Sequence, residues 1–310
     1  RRPPRSTLFP TRRSSDLALI LLTVFMLYPL IDVFIYSFEE NFNTISQTYT
    51  GVGFKNYAHV FNDSFFGQAI LNTFIIVFIT VPLSTFIALL ISMGLNSIKP
   101  LKKIFQTIFF TPYVTNTLAV GLVFVIMFQN TDSNVGLVNS FLGLFGINPI
   151  SWIDENATYI AKLFVLCFYV VWTVMPFKIL ILVGALQSVD KTYYSAARID
   201  GASSFRRFRK ITLPLISPTI SYLVITGFIG AFKEYNNAVA IFGSDKLNDL
   251  EMNTIVGYIY SELYSTTGGY YGYAASAAII LFAIVLTITI INLDRKSTRL
   301  NSSHRYISYA

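Results

Sequence analysis

Apolar residues along the chain gather into long blocks separated by short polar stretches. Six blocks stand out, at 17–38, 68–95, 104–128, 159–186, 215–242 and 274–293. A helix needs about 20 mostly apolar residues to cross the hydrocarbon core of a bilayer. The pattern predicts an all-α, polytopic membrane protein with one transmembrane helix per block. Pro29, Pro82, Pro112 and Pro176 fall in or near the blocks. Neighbouring helices can re-satisfy the backbone groups that such prolines free. Arg12 and Arg13 give the first block the outline of a signal peptide, but its length and the lack of a small-residue cleavage pattern favour an uncleaved span. Two connections, "YTGVGFKNYAHVFND" and "NVGLVNSFLGLFGINPISWI", mix aromatic, Gly and apolar residues. They predict short interfacial helices capping the bundle, with Tyr and Trp suited to the headgroup belt.

Composition agrees. Of 310 residues, 54% are hydrophobic and 13% are charged, against about 25% charged in soluble domains. The net charge of +7 would suggest nucleic acid in a soluble protein. In a membrane protein the sign is read loop by loop, and no nucleic-acid partner is expected. Lys99, Lys102 and Lys103 make the second-to-third connection basic, and the fourth-to-fifth is basic too. The others are acidic: Glu39, Glu40 and Asp63 against Lys55; Asp132, Asp154 and Glu155 with no base; Asp245, Asp249, Glu251 and Glu262 against Lys246. Alternating signs predict an even-numbered bundle with both termini in the cytoplasm, where the two basic loops lie.

Several classes of chemistry are excluded. Cys167 is the single cysteine and sits inside an apolar block, so there is no disulfide framework or cysteine-rich metal site. His59 and His304 are far apart and form no ligand cluster. No G-x-x-x-x-G-K occurs, so the chain has no phosphate-cradling loop of its own. The end stretches "RSTLFPTRRSSDL" and "DRKSTRLNSSH" resemble translated sequencing-adapter read-through. On that reading 1–16 and 295–310 are non-native tails around a membrane domain at 17–294; two polar disordered tails are the alternative.

The stretch "YYSAARIDGASSFRRFRKITLPL" holds Arg198, Arg206, Arg207, Arg209 and Lys210, with Lys191 just before. The insertion rule explains the charge but not the pattern. Ser195, Ala196 and Ala197 are small, and Gly201 follows; Ala202, Phe205 and Phe208 then recur at helical spacing. This predicts two short helices hinged at Gly201, where a residue without Cβ takes a tight conformation. Small Ala side chains allow close approach of another protein. Phe205 and Phe208 would plug an apolar pocket, and the Arg residues would meet carboxylates at its rim. Binding to anionic lipid is the alternative, but it requires neither the Gly hinge nor the Ala pair.

This run resembles the signature loop of binding-protein-dependent ABC-transporter permeases: E-A-A, three residues, G, nine residues, I-x-L-P. Here the text is S-A-A at 195–197, Gly201, then Ile211-Thr212-Leu213-Pro214, with matching spacing throughout. "YPLIDVFIYSF", "GFKNY", "LNTFII", "GAFKEYN" and "YGYAASAAIILF" are similar to the carbohydrate-uptake branch, and to its first-permease type exemplified by the maltose and glycerol-phosphate permeases. The resemblance covers roughly residues 17–294 and implies a type I importer (MetI-like) bundle.

It also implies partners: a second permease, expected to be non-identical; a cytoplasmic ATPase dimer that holds the ATP and Mg; and an extracytoplasmic solute-binding protein. Residues 187–214 would be the coupling loop, with Ser195, Ala196, Ala197, Arg198, Asp200, Gly201, Phe205, Phe208, Leu213 and Pro214 in the ATPase contact. Ser195 departs from the motif's Glu: it can hydrogen-bond but cannot form an ion pair, so the contact would be weaker or rebuilt by Asp200. The chain would reside in the bacterial inner membrane as a transport subunit without catalysis of its own, exchanging access by turning the bundle outward.

Ionisable residues inside spans are functional candidates by default. Lys233 and Glu234, followed by Tyr235, Asn236 and Asn237, fall in the fifth block and are expected to contact sugar hydroxyls, with Tyr stacking on the ring. Two bland readings stand beside this: Lys233 pairs with Glu234 or a neighbouring helix, or the fifth span ends early. Lys178 is similar, unless it snorkels to the cytoplasm. Asn72 and Trp172 are weaker candidates; Asp32 needs no special role. Two rival classes remain, a secondary transporter driven by an ion gradient and a receptor or scaffold whose basic loop binds lipid or an acidic protein. Another solute, such as an amino acid, a peptide or glycerol phosphate, is a further alternative.

Overall fold

The computed structural model describes residues 11–43, 46–98, 102–131, 134–265 and 271–307; the side chains of 11–15, 102, 103, 106 and 293–307 are outside that description. Lys99, Asp132, most of the expected tail at 1–16 and the side chains of Lys102 and Lys103 therefore lie outside the described residues.

The described chain is helical apart from two small hairpins, β1 (Glu39–Glu40) with β2 (Gly51–Val52) and β3 (Asn130–Thr131) with β4 (Asn134–Val135). The helices are α1 (Asp16–Tyr36), α2 (Lys55–Asn62), α3 (Ser64–Ser97), α4 (Lys102–Val114), α5 (Thr117–Phe128), α6 (Leu137–Gly143), α7 (Tyr159–Ser188), α8 (Lys191–Ile199), α9 (Ser204–Ala231), α10 (Asn236–Phe242), α11 (Ile255–Leu263) and α12 (Tyr271–Ile307). α1, α3, α7, α9 and the stretch Tyr271–Asn292 of α12 are long and apolar enough to cross a membrane, and α4 with α5 adds a bent pair. The short helices expected in the two aromatic connections are α2 and α6. The chain divides into two compact units, residues 1–62 with 259–282, and residues 63–258 with 283–310.

In the first unit, Asn56 of α2 is buried and donates to the carbonyls of Ser37 (3.1 Å) and Glu39 (3.0 Å). Ser276 of α12 donates to the same Ser37 carbonyl (3.1 Å), so one backbone oxygen receives two elements. The ammonium of Lys55 pairs with Glu40 at 2.7 Å.

In the second unit, α3 shows how the core is sorted. Its buried stripe is Ala69, Asn72, Thr73, Ile76, Val77, Thr80, Val81, Ser84, Thr85, Ala88, Ser92 and Leu95, at helical spacing. Leu71, Phe78, Phe86 and Leu90, on the other side, are exposed. Small and hydroxyl residues face protein and large apolar residues face outward, because lipid tails are as apolar as Leu and helix association gains by close packing and hydrogen bonds. α7 lies along this stripe, and Ser92 Oγ donates to the Ile179 carbonyl across the contact (3.2 Å). One apolar cluster joins α5, α7, α10 and the following loop through Phe124, Val165, Leu166, Tyr169, Ala240 and Met252.

Two expected spans take a different form. The block at 104–128 is not one helix: α4 and α5 meet at a bend of 104°. Asn116 is extended there, and its Oδ1 accepts from Leu118 N (2.9 Å) and Ala119 N (3.3 Å), starting a new helix. The block at 215–242 is shifted. α9 begins at Ser204 and ends at Ala231, the chain breaks at 232–235, and α10 follows.

Candidate functional site

The basic loop begins where α7 ends. Asp190 caps α8, its carboxylate accepting from Thr192 N at 2.9 Å, which holds its pKa below the usual carboxylate value. At the far end Ala202 N bonds the Ala197 carbonyl (2.9 Å), Gly201 N bonds that of Arg198 (3.1 Å), and Gly201 has φ +71°. This is a Schellman ending with glycine at the left-handed position. Ser203 then caps α9 by accepting from Arg206 N (3.3 Å).

The hinge at Gly201 is present, but the second helix is not short. Residues 204–207 run on through a π turn, Phe208–Thr212, into the rest of α9. Leu213 N bonds the Phe208 carbonyl there. Pro214 has no amide to give, and its ring crowds the carbonyl four residues back, so a widened turn ahead of it is the physical accommodation. The hydroxyls of Tyr194 and Thr212, 2.9 Å apart, tie α8 to this turn.

The loop's named residues lie mostly at the surface. Ser195, Ala196, Arg198, Asp200 and Pro214 are exposed, and Ala197, Phe208 and Leu213 are half-buried. Ile199 is 88% exposed and Phe205 72%. Ser195 Oγ donates to the Lys191 carbonyl at 3.3 Å, a bond within its own helix. Asp200 closes the end of α8 through its backbone. A short structured segment thus carries two bare apolar side chains among its cations.

The second unit also contains a cavity of about 420 Å³. Lys233, Glu234, Tyr235 and Asn236 all line it, with Lys178 and Trp172. The break after α9 creates this wall. Glu234 is 9% exposed, and its carboxylate accepts from Asn237 N (3.0 Å) and Asn237 Nδ2 (2.9 Å). Lys233 is exposed and forms no ion pair with Glu234. Asn237 lines the cavity too, and its buried Oδ1 has no hydrogen-bond partner.

Lys178 does not snorkel. It is 4% exposed and donates to Ser84 Oγ (2.7 Å), Thr85 Oγ1 (3.0 Å) and the Val81 carbonyl (3.3 Å), which uses all three ammonium protons on α3 beside Pro82. Asn72 is not part of the cavity lining. It is buried and bonded to Glu251, Asn253, Tyr159 and Gln68. Tyr113 and Thr117 at the α4–α5 bend were not singled out from sequence, although Pro112 and the Asn116 cap signal a break there. Gly227 was also missed: a Cβ on it would lie 3.1 Å from Val81 and 3.4 Å from Lys178 Nζ, so its absence lets α9 approach.

Residues 87–299 match the family described as binding-protein-dependent transport system inner membrane component. The chain belongs to this family. It is a multi-pass inner-membrane permease component. This permease is 31% identical to the arabinooligosaccharides transport system permease protein AraP of Bacillus subtilis, over 87% of its own length and 83% of that protein's. It is 30% identical to the lactose transport system permease protein LacF of Rhizobium radiobacter, over 89% of both chains. It is 28% identical to the trehalose/maltose transport system permease protein MalF of Thermococcus litoralis, again over 89% of both. Its fold is that of a chain in the crystal structure of a bacterial ABC transporter involved in the import of alginate. The TM-score is 0.74 at 21% identity, covering 91% of this permease and 92% of that chain.

Proposed function

We propose that this permease is the transmembrane subunit of an ATP-driven sugar importer and has both termini in the cytoplasm. It forms the pathway with a second, non-identical permease. A cytoplasmic ATPase dimer, which holds the ATP and Mg, grips the loop at 193–214. An extracytoplasmic solute-binding protein delivers the sugar. The observation that carries the reading is the capped loop ending in exposed Ile199 and Phe205, continuous with α9. Apolar tips on a rigid basic segment suit a groove with an acidic rim. Because the segment runs straight into a helix whose last turns line the cavity, a push on the loop moves the cavity wall. With Ser195 in place of the motif's Glu the contact is weaker or is rebuilt by Asp200, which is exposed at the end of α8.

The solute class rests on the named relatives and on the lining. Trp172, Tyr113 and Tyr235 offer faces for sugar C–H groups, and the exposed Asn236 offers a hydroxyl partner.

The test is co-purification with the cognate ATPase after Phe205→Asp or Arg198→Glu, paired with uptake of labelled maltose, lactose and arabinotriose, and of amino acids and dipeptides. We expect both variants to lose the ATPase and the wild type to import a saccharide. Full retention by both variants would overturn the coupling assignment, and uptake of amino acids or dipeptides alone would overturn the sugar.

A further inference from the structure

Residues 243–254, between α10 and α11, carry charge on one side and bury the other. Asp245, Lys246 and Asp249 are exposed, while Leu247, Leu250 and Met252 are buried. The buried side is also pinned by polar groups. Asn72 of α3 donates through Nδ2 to the carbonyls of Glu251 and Asn253, both at 2.8 Å. Its Oδ1 accepts from Tyr159 OH (2.7 Å) and Gln68 Nε2 (3.2 Å), which fixes the amide's orientation. Ile255 N donates to Thr73 Oγ1 at 3.0 Å. Asn253 Oδ1 accepts from Thr254 N at 2.9 Å.

The last link reaches the cavity wall. Thr254 is fully buried, and its Oγ1 donates to the Glu234 carbonyl at 2.6 Å while accepting from Gly257 N at 3.2 Å. Glu234 in turn holds Asn237 by two bonds. The loop is thus bonded to the backbone of Glu234, whose side chain holds Asn237, and both residues are in the cavity lining. Buried networks of this kind stiffen one another, and a buried carbonyl stripped of its donor is costly. Thr254 itself is not among the cavity-lining residues.

We propose that Thr254 is a positioning residue for transport. It fixes the corner at 232–235, and with it the Glu234–Asn237 pair, in the register that presents Tyr235 and the exposed Asn236 to solute in the cavity. Asn72 anchors the assembly on α3. This rests on the saccharide reading above. One consequence is that the charged side of the loop is mechanically joined to the wall that meets solute.

The test uses the assembled transporter in proteoliposomes with its solute-binding protein, and whichever of maltose, lactose or arabinotriose the wild type imports. The readout is sugar moved per ATP hydrolysed. Thr254→Val keeps the shape and removes the donor. It is expected to lower the ratio about fivefold, the factor that accompanies one lost hydrogen bond, while the ATPase rate stays near wild type. Thr254→Ser restores the ratio. Tyr159→Phe, which removes a hydroxyl that bonds Asn72 beside Gln68, lowers it less and serves if Thr254→Val does not assemble. A wild-type ratio in Thr254→Val, or in Tyr159→Phe where it stands in, overturns the inference. So do a proportional fall of uptake and ATPase rate, which marks a merely structural role, and failure of Thr254→Ser to rescue. If the wild type imports none of the sugars while still coupling to ATP, the saccharide reading falls first and this inference with it.

Discussion

At Gly201 a backbone angle, not crowding, demands glycine. Its φ is +71°, and an added Cβ would meet nothing within 4 Å. An L-residue in the left-handed region costs about 1–2 kcal/mol, with Asn tolerated better than most. Gly201→Asn is therefore expected to keep most ATPase binding in a pull-down, and Gly201→Val to lose it. If the two behave alike, the conformational argument is wrong. The position was legible in sequence because its motif and its physics coincide. The setting of Lys178 was not: a lysine in an apolar block reads equally as solute contact or as snorkel, and only the structure shows it buried in the cavity lining with three acceptors on α3. Glu234 and Asn237 were named from sequence, but their mutual bonds were not, and the Thr254 hydroxyl that meets the Glu234 carbonyl lies twenty residues further on.

Hydropathy located the helices well, and α3 and α7 match their blocks closely. It failed at the C-terminal end of α9 and at the α4–α5 bend because apolar content does not distinguish a continuous helix from a broken one, and at the start of α9 because the helix runs on through charged residues. The breaks are set by Asn116 as a cap and by the Glu234 carboxylate gripping Asn237. Hydropathy also does not say which side of an all-apolar helix faces protein. On α3 that side carries Ser92, buried, while Phe86 is 59% exposed. Ser92→Leu should overpack the α7 contact and destabilise by about 1–3 kcal/mol. Phe86→Leu on the opposite face should leave thermal unfolding in detergent nearly unchanged. Equal effects would contradict the inside-out sorting of this helix.

For the whole molecule, the alternation of loop charge makes a prediction about sidedness. With Cys167 replaced by Ala the chain has no cysteine. A cysteine at Asp245 should then react with an impermeant maleimide in intact cells, and one at Ser203 only after permeabilisation; the reverse pattern would invert the topology and remove the coupling loop from the ATPase. The sequence by itself determined the class, the approximate spans and the signature loop. Apolar length and short-range spacing are local properties, and a motif with fixed spacing is local too. Tertiary structure decided the rest: the bonds from Lys178 to α3, the junction around Asn72, the gathering of Lys178, Trp172 and 233–237 around one cavity, and the link from Thr254 to Glu234. Each of these joins residues far apart in the chain, and a hydrogen bond between distant segments leaves no periodic trace in either one.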